Sequence, residues 1–191
     1  MRHLISSWSV PRPGARAIAL PTPGASPPAR VLLLAALALL PGSGGAQEVS
    51  LALGTQAPAA ALEDLDGKPV QLLDFVEKGK LTVLEFWASW CENCEALAPQ
   101  LAAIQERWGG RVNLVAVAVA VGQNQRRVKR HIEEHQPGYP YVWDGTGEAV
   151  RAFNAATTSI VVILDGEGKV AYTGVGRNQD LLGAVEKLVG G

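Results

Sequence analysis

Cysteine is almost absent from this chain of 191 residues: Cys91 and Cys94 are the only two. A closed zinc site takes about four ligands, and two thiols with histidines far along the chain do not supply them. No cysteine precedes Cys91, which argues against a lipid-modified N-terminal anchor. Basic charge is not in excess, since the net charge is −1, so there is no electrostatic footprint for nucleic acid. Internal repeats and a phosphate-cradling glycine loop are also missing, Gly145-x-Gly147 being no more than a turn. His131 and His135 stand four apart, but Glu133 falls one place too late for the zinc-protease pattern. That pair reads as solvated helix surface, with a shared metal as the lesser alternative.

Acidic residues are missing altogether from positions 1–46, which carry Arg2, Arg12, Arg16 and Arg30. The apolar run there, Val31–Leu40, is ten residues long, whereas a helix crossing a bilayer needs about 20. Pro41-Gly42-Ser43-Gly44-Gly45-Ala46 follows with a helix break and small residues. Residues 1–46 are therefore expected to be a secretory signal peptide with a long, proline-rich, disordered leader, cleaved between Ala46 and Gln47. An uncleaved membrane anchor is the alternative. Without the leader, 13 basic residues face 18 acidic ones, a net charge of −5. Residues 47–191 then form one domain, periplasmic or secreted after cleavage.

What is present concentrates in residues 81–99, the stretch that holds both cysteines. The apolar, β-branched and aromatic run 81–87 predicts a buried strand, and 95–107, with Leu97, Leu101 and Ile104 on one side, predicts a helix. Both cysteines fall at the junction, where residues three apart come about 5 to 6 Å apart at Cα, within reach of a disulfide. Free N–H groups at a helix start favour a thiolate. Cys91 is thus the expected nucleophile and Cys94, one turn deeper, the expected resolving thiol. Glu92 and Glu95 oppose the dipole and lean the pair towards a reductant. A stapling disulfide is the plainer alternative, but a loop this short restrains the unfolded chain little.

Phe86-Trp87-Ala88-Ser89-Trp90-Cys91-Glu92-Asn93-Cys94, with Pro99 five residues on, resembles the thioredoxin superfamily, and within it the TlpA/ResA-like thiol–disulfide oxidoreductases. Gly54-Thr55-Gln56-Ala57-Pro58 and Asp64 to Val70 resemble the family's opening hairpin, and Ile163 to Val170 its late hairpin. The resemblance covers Val49 to the C-terminus. It implies an α/β thioredoxin-like fold with a central mixed sheet, helices on both faces and an N-terminal hairpin extension. It also implies protein disulfides as clients, a membrane electron donor that recharges the pair, apocytochrome c as a frequent client, and no bound organic cofactor beyond the redox-active Cys91–Cys94 disulfide.

Two positions depart from that pattern. Where the family carries a cis-proline facing the cysteines, this chain has Ser159 after Thr158. A cis bond before a non-proline costs about 2.5 to 4 kcal/mol, so a trans peptide is expected, with an N–H and a hydroxyl restored beside the thiols. A pair opened in this way raises a competing reading, a copper or other soft-metal carrier; a non-catalytic client-binding module is a third. The second departure is Gln123, which stands where ResA-like members have a glutamate and cannot titrate. Glu85, six residues before Cys91, occupies the place of the buried thioredoxin aspartate. Burial raises a carboxyl's pKa, so Glu85 is expected to accept the Cys94 proton; the alternative is a plain hydrogen bond in a polar gap.

The remaining elements frame the site. A hairpin pairs 59–62 with 70–73 around Asp66-Gly67, and a short helix is expected at 74–77. Pro99 is expected to kink the long helix. The run 111–121 predicts a strand covered on both faces and parallel to 81–87; 123–136 predicts a helix with a narrow stripe from Val128 and Ile132. A strand at 139–143, a helix at 148–153, an antiparallel pair at 159–164 and 169–175, and a helix at 179–188 complete the order. Trp87, Trp90, Ala155, Ala156, Thr158 and Ser159 are expected around Cys91, with Trp87 a core residue. Trp90, Thr158 and Ser159 are the expected substrate-binding residues, a shallow apolar rim that suits an extended peptide. A monomer is expected.

Overall fold

A computed structural model describes residues 49–191; the expected leader and its cleavage point lie outside the described residues. The strands are β1 (Ala61–Glu63), β2 (Pro69–Gln71), β3 (Leu81–Trp87), β4 (Val112–Val119), β5 (Tyr141–Asp144), β6 (Ile160–Leu164) and β7 (Val170–Val175). The helices are α1 (Glu92–Trp108), α2 (Gln125–His135), α3 (Glu148–Ala152) and α4 (Leu181–Gly190), with a 3-10 turn at Leu72–Phe75. All seven strands join one sheet in the order β2-β1-β5-β4-β3-β6-β7.

The register follows from the apolar runs. β3 is buried at all seven positions and lies parallel to β4, with Glu85 opposite Ala116, and antiparallel to β6, with Glu85 opposite Val161. A strand this apolar belongs in the middle of a sheet covered on both sides. Alternate side chains leave β3 on opposite faces. Leu81 and Val83 enter a core with Leu97, Leu101 and Ile104 of α1 and Leu181 and Val185 of α4, while Leu84 and Phe86 enter another with Val128 of α2 and Ala149 of α3. Helices on both faces of a mixed sheet are the architecture expected. The N-terminal hairpin, with Leu62 opposite Val70, is no free appendage, because Glu63 of β1 pairs with Trp143 of β5 and makes the hairpin one edge of the sheet.

One local expectation changes. α1 begins at Glu92, three residues early, because Cys91 acts as its N-cap and its sulfur accepts the Cys94 N–H at 3.1 Å. Pro99 lies inside this helix, which continues to Trp108. Packing of Leu97 and Leu101 on either side of Pro99 holds the two segments in one helix, offsetting the hydrogen bond that proline removes. Among the described residues no helix is long and apolar enough to cross a membrane.

Candidate active site

β3 delivers the chain to the sulfurs and α1 takes it away. Cys91 and Cys94 are joined as a disulfide with Cα atoms 5.3 Å apart, as the spacing predicts. Cys91 retains 8% of its surface exposed and Cys94 1%. Both are buried, and Cys91 keeps more of its surface open than Cys94. The Glu95 N–H donates to the Cys91 carbonyl at 3.0 Å, so the turn carrying both cysteines is ordinary helix backbone from its first residue. Cys94 Sγ lies 4.0 Å from the Phe86 carbonyl.

A cleft of about 590 Å³ opens beside the pair, lined among others by Cys91, Cys94, Glu85, Trp87, Tyr139 and His131. Glu85 shares the face of β3 that carries Leu81 and Val83, and Ala116 separates it in register from Tyr141. That small residue leaves room between carboxyl and ring. Glu85 is 2% exposed, and its Oε1 has no hydrogen-bond partner among the described residues. Burial alone pushes its carboxyl up to about 8, because a low-dielectric setting disfavours the charged form. Tyr141 is pushed up to about 12, chiefly by burial.

His135 is exposed, as expected of solvated helix surface, whereas His131 is half-buried. His131 and His135 stack at 4.0 Å between ring centroids, His131 also lies 4.7 Å from the Trp87 ring, and both line the cleft instead of facing solvent alone. Burial, then the neighbouring His135, holds His131 below its ordinary pKa. No group of three or more His, Cys, Asp or Glu side chains arranged for a metal occurs among the described residues.

Trp90 is 45% exposed and its Nε1 donates to the Val121 carbonyl at 2.7 Å. Gly122, with φ +66°, lies under the indole, and a Cβ there would come within 3.1 Å of Nε1. Trp87 is core, edge-on to Tyr141 at 5.1 Å.

Ser159 departs from expectation in its backbone. The peptide before it is trans, and its φ is +62°, a left-handed value uncommon outside glycine. This conformation directs the Ser159 N–H to the Phe86 carbonyl at 2.8 Å. The Gly176 N–H donates to the Ser159 hydroxyl at 3.2 Å, so neither group is free beside the sulfurs as the sequence suggested. Ser159 is 1% exposed, and Thr158, half-buried, is the more accessible of the two.

Sequence reasoning marked Gln123 only as a side chain that cannot titrate and passed over Arg177, and both hold the site. Gln123 accepts the Ser89 N–H at 2.9 Å through Oε1 and donates to the Val119 carbonyl at 2.7 Å through Nε2, tying the end of β4 to the loop before Cys91. An amide does both; a carboxylate accepts only. Arg177 donates through Nε to Asn93 Oδ1 at 2.8 Å and lies 3.5 Å from Glu92 Oε2 through Nη2. No sequence signal marked it, since 84 residues separate it from Asn93.

A cysteine pair with one sulfur at a helix N-cap, held at a strand-to-helix junction of a mixed sheet, defines a thiol–disulfide oxidoreductase of thioredoxin-like fold. Comparison with known proteins agrees. The thioredoxin domain of a thiol-disulfide oxidoreductase from Bacteroides vulgatus superposes with a TM-score of 0.64 at 28% identity, covering 73% of this chain and 99% of that one. A thiol:disulfide interchange protein from Bacteroides sp. gives 0.63 at 28%, covering 74% and 92%. The family profile described as AhpC/TSA matches residues 53–173, and the chain belongs to that family. Among curated relatives, sporulation thiol-disulfide oxidoreductase A of Bacillus subtilis is 30% identical over 149 residues, covering 76% of this chain and 86% of its own. ResA of Bacillus thuringiensis is 27% identical over 124 residues, covering 65% and 70%.

Proposed function

We propose that this oxidoreductase works as a reductant of protein disulfides in the periplasm or outside the cell, with residues 1–46 as its export signal. The observation that carries the reading is the graded burial of Cys91 and Cys94, 8% against 1% exposed, in a cleft shared with a carboxyl whose pKa burial lifts to about 8. The Cys91 thiolate attacks one client sulfur and forms a mixed disulfide, and the departing client thiolate takes a proton from solvent. The Cys94 thiol passes its proton to Glu85 in the minor ionised form that a carboxyl near 8 keeps at neutral pH, and the Cys94 thiolate attacks Cys91 Sγ. The second client thiolate leaves, and two electrons have moved from the pair to the client. Trp90 and Thr158 offer the client chain an accessible rim, with Ser159 fixing the backbone behind it. The exchange needs no organic cofactor. A membrane dithiol donor returns the two electrons, as an oxidising compartment requires, and the protein acts as a monomer without nucleic acid.

Cysteine substitution tests the order of events with insulin as the disulfide client. C94S should accumulate a covalent complex that dithiothreitol releases, and C91S should form none and reduce no insulin. Equal trapping by both variants, or insulin reduction by C91S, contradicts the assignment.

A further inference from the structure

The two residues between the cysteines are held from outside their own helix. Arg177 reaches them from the segment between β7 and α4, as a hydrogen-bond donor to Asn93 and as the ion-pair partner of Glu92. It is the one lysine or arginine seen paired with a residue of the Cys91–Cys94 segment among the described residues. Its own segment is fixed. The Gly176 N–H donates to the Ser159 hydroxyl, and the buried Gln179 side chain donates to the Ser159 carbonyl at 2.9 Å and to the Gly176 carbonyl at 2.8 Å. One short segment thus touches Ser159 on one side and the cysteine turn on the other.

Charge gives this contact its chemical meaning. Glu92 is the first residue of α1 and immediately follows Cys91. A carboxylate there suits the helix dipole but works against a neighbouring thiolate, since both are anions competing for the same N–H groups. A guanidinium against that carboxylate restores the positive end of the helix to the sulfur. The pair is exposed, Glu92 more than Arg177, so its influence is modest and sensitive to salt. Glu95, Glu85, His131 and His135 also line the cleft with the cysteines, and none of them is a permanent cation.

We infer that Arg177 is a positioning residue for thiol–disulfide exchange: it offsets Glu92 and thereby sets the acidity of Cys91 and the redox equilibrium of the Cys91–Cys94 pair. The inference rests on the exchange chemistry proposed above.

The test compares wild type, R177A and R177K in glutathione redox buffers, with the Cys91 pKa followed by thiolate absorbance in each. R177A should raise the Cys91 pKa and shift the equilibrium with glutathione about threefold towards the disulfide, which is about 14 mV to lower potential. R177K keeps the charge and should stay near wild type. The difference between R177A and wild type should shrink in 1 M salt, where the screening length is about 3 Å. An unchanged pKa and equilibrium in R177A overturns the inference, as does a shift of full size in 1 M salt or one shared equally by R177K, each of which marks a structural tether. Failure of wild type itself to equilibrate with glutathione would instead defeat the exchange reading.

Discussion

Glu85 shows what one buried side chain does to the molecule around it. Its carboxyl sits near 8 in the folded protein and near 4.5 when exposed, so folding binds a proton throughout the interval between those values. Stability must then fall as pH rises from about 4.5 to about 8, and the loss is complete above the folded value. Each unit of displacement is worth roughly 1.4 kcal/mol, so the full effect is several kcal/mol. E85Q removes the titration and keeps the volume. It should match wild type in urea unfolding near pH 4, exceed it by several kcal/mol near pH 9, and resolve mixed disulfides slowly at neutral pH. Parallel stability profiles for the two proteins across that range would show that Glu85 is not the buried acid. The position was legible because a carboxylate is rare within a run such as Leu81–Trp87. Ser159 was only half legible: loss of proline foretold a trans peptide, but nothing in a Thr-Ser pair signals φ of +62°, which the Phe86, Gly176 and Gln179 hydrogen bonds impose together.

At the scale of elements, the loop from Ala88 to Cys91 is anchored by buried Ala88, by the Trp90 hydrogen bond to Val121, and by Gln123, whose amide spans the Ser89 N–H and the Val119 carbonyl. Q123A leaves both groups without that partner at the mouth of the site. The expected cost is about 1 to 3 kcal/mol in chemical denaturation, with slower insulin reduction because Cys91 is held less firmly. Q123E should recover little, since a carboxylate cannot donate to Val119. Full activity in Q123A would mean that α1 alone positions Cys91. The element pattern itself was readable: Leu81–Trp87 is the strand as delimited by its apolar run, β4 lies parallel to it across the α1 crossover, and β6 pairs antiparallel with β7 around the tight turn that follows Leu164. Helix ends were not, because a cysteine cap at the start of α1 has no compositional mark. Contacts such as Arg177 with Asn93 join segments far apart in sequence, and periodicity carries no information about them.

For the molecule as a whole, the direction of electron flow is a question of which redox form the fold stabilises. A pair held as thiolate by its surroundings makes an oxidant, since the reduced state is then favoured; a pair whose reduced state is penalised makes a reductant. Here Cys94 is enclosed, Glu85 lies in the same cleft without a partner, and Glu92 and Glu95 occupy the first turn of α1, with Arg177 offsetting one of them. Negative charge on the sulfurs is therefore poorly received, and the disulfide form should be the more stable fold. Urea unfolding of oxidised and dithiothreitol-reduced protein at pH 7 checks this through the thermodynamic cycle that links folding to redox, in which about 30 mV corresponds to about 1.4 kcal/mol. The oxidised protein should have the higher midpoint, and the potential should fall nearer the thioredoxin value of about −270 mV than the DsbA value of about −120 mV. A reduced protein that outlasts the oxidised one would reverse the assigned direction while leaving the exchange chemistry of Cys91 and Cys94 intact, because the same two sulfurs would then be taking electrons from their clients.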